Sequence, residues 1–367
     1  MTVQSKTITS ISHQESNSIK IMRVIATFMI VSAHICNAVG TPIFNAASQL
    51  FQIGVPIFFI LSAYIFSKRS AAEFEGRWIL KRIMRLQIPV VVFDVLWATY
   101  LVVIAHESLS LIGCIGIILN VAGFHTNMGL VCGSNEGMFW FTSYIMLCYF
   151  ITPIAAKLKA KIGRKKLFLI STIVFVIYNT ICIFNRSDTA FFYRFNYVLL
   201  YLAVLLYSDS LVKAFGKCNW KYSLNLTGIL ILTLAVRMLV GRISYSPTVE
   251  ILYTSVVAQI SGYIMALYAC SFVFMLSKFL SAHDYLMKFV AFLDKCSYEV
   301  YITHGMCISV FTGCFQNSME WFVIETAVVF CAAILAALIL HAISDPIYRK
   351  VVAFTAKEVG YLNSLKQ

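Results

Sequence analysis

Arg23 and His34 stand eleven residues apart in the apolar run IMRVIATFMIVSAHI. At 100° per residue that spacing is three turns plus about 20°, so a helix puts both side chains on one face, about 16 Å apart along the axis. An ionisable group at mid-membrane costs about 2.5–3.5 kcal/mol on insertion scales, which makes each one a functional candidate. An imidazole kept neutral there has a free nitrogen that can take a proton from a hydroxyl, as a general base must. Plainer roles stand beside these: Arg23 as an anchor snorkelling to the interface, His34 as a hydrogen-bonded packing residue.

His304 is the second such residue. Ser297, Tyr301 and His304 fall at i, i+4 and i+7 of an apolar segment and form a polar stripe, suited either to catalysis or to joining two helices by hydrogen bonds. Asp94 and Arg237 sit in two further apolar segments, where a structural ion pair or snorkelling is favoured over catalysis. Lys81, Arg82 and Arg85 lie in RWILKRIMRLQIP, and a helix there presents a compact basic face. Such a face can hold anionic lipid headgroups, or the phosphates of a nucleotide-containing cofactor, for which arginine supplies forked donors. No GxGxxG, Walker, HExxH or metal-spaced His/Cys pattern occurs, so redox, ATP-driven and zinc chemistry have no support and no metal is expected.

These residues must be positioned by elements built for lipid. Of 367 residues, 60% are hydrophobic and only 12% charged, too few polar groups to cover a surface facing water. Ten apolar stretches are long enough to span: 21–40, 50–67, 86–105, 137–156, 167–184, 195–212, 223–240, 251–276, 298–315 and 321–343. The shorter stretch 109–122, broken by Gly113 and Gly116, reads as a helix lying on the membrane or re-entering it. The runs are continuous, not alternating, which excludes a transmembrane barrel.

The net charge of +13 would suggest nucleic acid in a soluble chain. With both termini inside, however, all but four of the 29 Lys and Arg residues fall on the cytoplasmic side, the exceptions being Arg186, Arg194, Arg237 and Arg242. Most of the charge therefore sets topology, and no nucleic-acid partner is expected. The fold expected is all-α and polytopic, with about ten transmembrane helices and both termini cytoplasmic. Residues 1–19 form a cytoplasmic tail, 20–344 the membrane domain and 345–367 a second cytoplasmic tail. The first span begins only after a polar N-terminus and has no small-x-small cleavage site immediately following it, so no cleaved signal is expected. The eleven cysteines include no CxxC pair and mostly lie in apolar spans, where they act as small hydrophobes.

The R-x10-H pair resembles that of the integral membrane acyltransferase family 3. The resemblance continues through GVPIFFILSAYIF at 54–66, KRIMRLQIP at 81–89, FWFTSYIMLCYFITP at 139–153 and SYEVYITH at 297–304, in the family's order across about 280 residues. The second and fourth blocks are most similar to those of bacterial members that acetylate surface polysaccharides. The resemblance implies an enzyme of the cell membrane that moves an acyl group, usually acetyl, from cytoplasmic acyl-CoA to a hydroxyl of a cell-surface or lipid-linked saccharide. It makes His34 the essential histidine and Arg23 the motif arginine, with His304 in the last block, and Arg82 and Arg85 the RxxR motif beside Lys81. Those cations would then complement the donor's phosphates. Direct attack by a hydroxyl that His34 deprotonates and an acyl-imidazole intermediate at His34 are both open. Two positions depart from the family's pattern: Ala63 replaces a glycine, and Ile145 stands where many O-antigen-acylating members carry a glutamate, a role that Glu136 could take. A carrier of lipid-linked sugars is the alternative, although the chain shows no pair of related halves.

Overall fold

The computed structural model describes residues 11–69, 74, 76–104, 106, 114–115, 139–184, 194–216, 227–228, 231–233, 235, 258–311 and 319–364. Most of these are helical, and no strand occurs among them. The helices are α1 (His13–Val39), α2 (Pro42–Phe51), α3 (Gly54–Ser67), α4 (Gly76–Thr99, continued by a π-helical turn Tyr100–Ile104), α5 (Trp140–Ile162), α6 (Arg164–Phe184), α7 (Asn196–Gly216), α8 (Ala258–Leu280), α9 (Asp284–Lys295), α10 (Ser297–Phe311) and α11 (Met319–Ser364).

Among the described residues, six segments are long and apolar enough to cross a membrane: His13–Val39, Ile43–Ser67, Arg77–Ile104, Trp140–Ile162, Gln259–Ser277 and Phe322–Thr355. The chain is thus a multi-pass membrane protein. Helices α6, α7 and α10 coincide with three more of the expected spans. The expected span 223–240 and the stretch 109–122 lie largely outside the described residues, as do Glu136, Arg186, Arg237 and Arg242.

Helix ends differ from the hydropathy boundaries because hydrogen bonds, not lipid, set them. Helix α1 begins at His13, within the expected polar tail, on a reciprocal cap: Ser12 N–H donates to Glu15 Oε2 (2.7 Å) and Glu15 N–H to Ser12 Oγ (3.2 Å). It ends where Gly40 takes φ +72° and returns its N–H to the Cys36 carbonyl (3.2 Å). Gly163, at φ +82°, turns α5 into α6 in a single residue by the same device. Helix α11 runs for 46 residues, through Pro346 and well past the end of its apolar stretch.

The chain forms two compact units, and α1 and α5 contribute to both. The first comprises residues 1–29, 52–73 and 151–294. Here α7 packs against α3, α6 and α8. Phe59 stacks on Tyr197 with centroids 5.1 Å apart, and the buried hydroxyls of Thr152 and Tyr201 hydrogen-bond. Ser18 and Ser277 join α1 to α8 by a hydroxyl pair at 2.6 Å. On α6, Leu169, Ile173, Val176 and Ile177 are left exposed, a face that suits lipid.

The second unit comprises residues 30–51, 74–150 and 295–367. Helices α4, α10 and α11 pack on one another. Its core includes Val31, Ile35, Val300, Cys307, Val329, Ala333 and Ala337. The small residues Ala333 and Ala337 recur at i and i+4, which lets α10 approach α11 closely. The Thr303 hydroxyl reaches the Glu299 carbonyl of its own helix (3.0 Å) and the Ala333 carbonyl of α11 (3.1 Å).

Candidate active site

His34 and His304 come together in the second unit. Their rings stand 5.1 Å apart between centroids, at 50° to each other. His34 sits a turn and a half before the Gly40 end of α1 and is half-buried; His304, on α10, is fully buried. His304 Nδ1 lies 2.6 Å from the Tyr301 carbonyl oxygen. A carbonyl only accepts, so Nδ1 carries the proton and Nε2 keeps the lone pair. That Nε2 is buried without a hydrogen-bond partner. A buried acceptor left bare is costly, and such an atom is suited to receiving an N–H or O–H brought to it.

The polar stripe on α10 is real, and each member is buried: Ser297, Tyr301 and His304. The aromatic ring of Tyr301 packs against both His304 (5.8 Å) and Phe141 (5.4 Å). Tyr298, six residues before His304, donates its hydroxyl to the Leu86 carbonyl (2.9 Å) and lies 3.3 Å from the Thr142 hydroxyl. Leu86 adjoins Arg85. One short helix therefore positions His304 and, about 9 Å along its axis, braces the basic stretch of α4.

That stretch is helical as expected, with Lys81 exposed and Arg82 and Arg85 partly so. Arg85 Nη1 donates to Asp345 Oδ1 of α11 (3.1 Å), and its guanidinium lies 5.3 Å from the centre of the Tyr348 ring. Asp345 also pairs with Arg349 one turn further on (2.7 Å).

Arg23 belongs to the first unit, where Asp294 of α9 engages it. Nη2 donates to Oδ2 at 2.9 Å, and Nε lies 2.8 Å from Oδ1. Burial pushes the Asp294 carboxyl above its ordinary range, outweighing the opposite pull of Arg23 and Lys20. Asp94, weighed as a partner for Arg237, is buried on α4.

Three pairings escaped the sequence reading. Glu299 and His341 form a buried pair, Oε1 to Nδ1 2.8 Å, that ties α10 to α11. An ionisable His341 inside an apolar stretch was the available signal. The partners Asp294 and Asp345 gave no such signal, because both fall outside the apolar stretches.

A family model described as an acyltransferase domain matches residues 16–342 of the chain. Comparison with curated proteins and with solved structures gives no match. The matched range includes Arg23, His34, Lys81, Arg82, Arg85 and His304 and stops short of Asp345.

Proposed function

The chain belongs to the acyltransferase 3 family, and from that premise we propose that it moves an acyl group, acetyl in the simplest case, from cytoplasmic acyl-CoA to a hydroxyl of a cell-surface or lipid-linked saccharide. The observation that carries this reading is the His34–His304 contact. His34, the more accessible imidazole, is the general base that meets the acceptor hydroxyl. His304, wholly buried, acts through His34 as a positioning residue, its Nε2 offering an acceptor to an N–H brought against it. The acceptor oxygen attacks the thioester carbonyl as His34 removes its proton. A C–O bond forms, the C–S bond breaks, and the proton passes to the departing thiolate as free CoA.

Arg82, Arg85 and Lys81 hold the phosphates of the donor, since they lie on the face that the positive-inside pattern assigns to the cytoplasm. Arg23, held by Asp294, anchors the first half of α1. The topology proposed with this chemistry is ten spans in the cell membrane within residues 20–344, and both termini in the cytoplasm. Reporter fusions at either terminus are expected to read cytoplasmic.

Acetyl-CoA turnover in membranes carrying His34→Ala tests the central claim. A positioned base is worth about 10²–10⁴-fold, so a loss of that size is expected. Near-wild-type transfer by a well-expressed variant would refute it.

A further inference from the structure

Helix α11 carries a charged cluster that the family match does not reach: Asp345, Tyr348 and Arg349, at i, i+3 and i+4, all past residue 342. Asp345 binds Arg85 through Oδ1 (3.1 Å) and Arg349 through Oδ2 (2.7 Å), so a single carboxylate holds two guanidiniums from two helices. The Arg85 guanidinium also lies over the Tyr348 ring at 5.3 Å, which fixes its orientation. The carboxylate side chain is 17% exposed, that of Arg85 43% and that of Arg349 76%. The two arginines are thus more exposed than the carboxylate that holds them. With Lys81 and Arg82 one turn earlier on α4, the cluster keeps a clear positive excess despite Asp345.

The Asp345–Arg349 pair adds little to stability on its own, since the Arg349 side chain is 76% exposed. Two forks pre-set by one acid are instead the means of gripping a tetrahedral dianion, because each guanidinium presents paired donors to two oxygens and loses little freedom on binding.

We propose that Arg349 joins Arg85 in a phosphate-binding site for the nucleotide end of the acyl donor, with Asp345 and Tyr348 as residues that position the two guanidiniums. The proposal rests on the acyl-CoA reading above. The ligand chemistry is a phosphomonoester or diphosphate. A phospholipid headgroup offers the same chemistry, so the test must separate the two sources.

The full chain is reconstituted in nanodiscs of neutral phosphatidylcholine. Binding of adenosine 3′,5′-bisphosphate, which has nucleotide phosphates and no thioester, is measured there, and acetyl-CoA kinetics are measured in native membranes, which supply the saccharide acceptor, for wild type, Arg349→Gln and His34→Ala. Arg349→Gln is expected to weaken the bisphosphate about tenfold or more and to raise KM for acetyl-CoA similarly, with kcat nearly kept. His34→Ala is expected to bind the bisphosphate like wild type while losing turnover. The exposed position of Arg349 makes misfolding a minor concern, and Arg349→Lys, which keeps the charge but not the fork, is expected to fall between the two. If wild type turns over acetyl-CoA while Arg349→Gln keeps its KM and its bisphosphate affinity, the proposal is overturned and the enzyme reading stands. If Arg349→Gln instead alters only the response to added phosphatidylglycerol, the site serves lipid and the proposal is likewise overturned. If wild type neither turns over acetyl-CoA nor binds the bisphosphate, the acyl-CoA reading itself falls.

Discussion

Tyr298 donates its hydroxyl to the Leu86 carbonyl across 2.9 Å, tying the helix that carries His304 to the turn of α4 that carries Arg85. A base and an anion-binding arginine that serve one thioester must keep a fixed separation. This hydrogen bond, from a short helix buried on most of its faces, is one means of keeping it.

Replacing Tyr298 by Phe removes that bond and leaves the ring. The expected loss of stability is about 0.5–1.5 kcal/mol, read from the thermal unfolding of purified protein. KM for acetyl-CoA is expected to rise with it, because the Arg85 turn is released. An unchanged melting temperature would show that water or Thr142 replaces the contact.

His304→Gln separates positioning from direct chemistry. A glutamine amide can still donate to the Tyr301 carbonyl but cannot take up a proton in turnover, so a positioning role predicts partial activity for Gln and a deeper loss for Ala. Turnover of both variants, with expression matched, is the measurement. Equal losses in Gln and Ala would instead make His304 a proton carrier.

The Arg23–Asp294 pair makes a pH prediction whose sign is contrary to that of an ordinary surface ion pair. Burial holds the folded-state value of Asp294 above its unfolded value. The protonated acid is thus the better tolerated native form, and its contribution is fully present below the ordinary carboxylate value near about pH 4 and lost as pH rises through the raised one. Relative to Asp294→Asn, wild type is expected to gain stability as pH falls through that window. Melting temperatures of the two proteins, compared between about pH 4 and pH 7, give the answer; a relative loss for wild type on acidification would mean that Arg23 dominates.

Glu299 and His341 are buried together, so truncating one strands the other. Glu299→Leu or His341→Leu alone is expected to cost about 1–3 kcal/mol, and the double substitution less than either single, since an apolar pair leaves no unmet polar atom. Denaturation of the three variants checks this. Additive losses would show that the two side chains act separately.

How much of this was legible beforehand varies with the range of the interaction. Membrane residence, the helical register of Arg23 with His34, and the basic face of α4 are local properties: hydropathy and a fixed rise per residue determine them without reference to any distant contact. The apolar stretch did not reveal the start of α1, because hydropathy registers the edge of the lipid, whereas the Ser12–Glu15 cap determines where the helix begins.

The amino-acid sequence alone therefore determined that the chain lives in a bilayer, that an arginine and a histidine share one helix face, and that motif blocks of an acyltransferase stand in order. It did not determine the partners. Arg23 finds Asp294 at a separation of 271 residues, and Arg85 finds Asp345 at 260. Which imidazole faces His34, and which carboxylate holds each arginine, was decided by how α10 packs on α4 and α11, and α9 beside α1. Charges buried or half-buried at such separations are satisfied only once the helices have docked, and no local periodicity records which docking that will be.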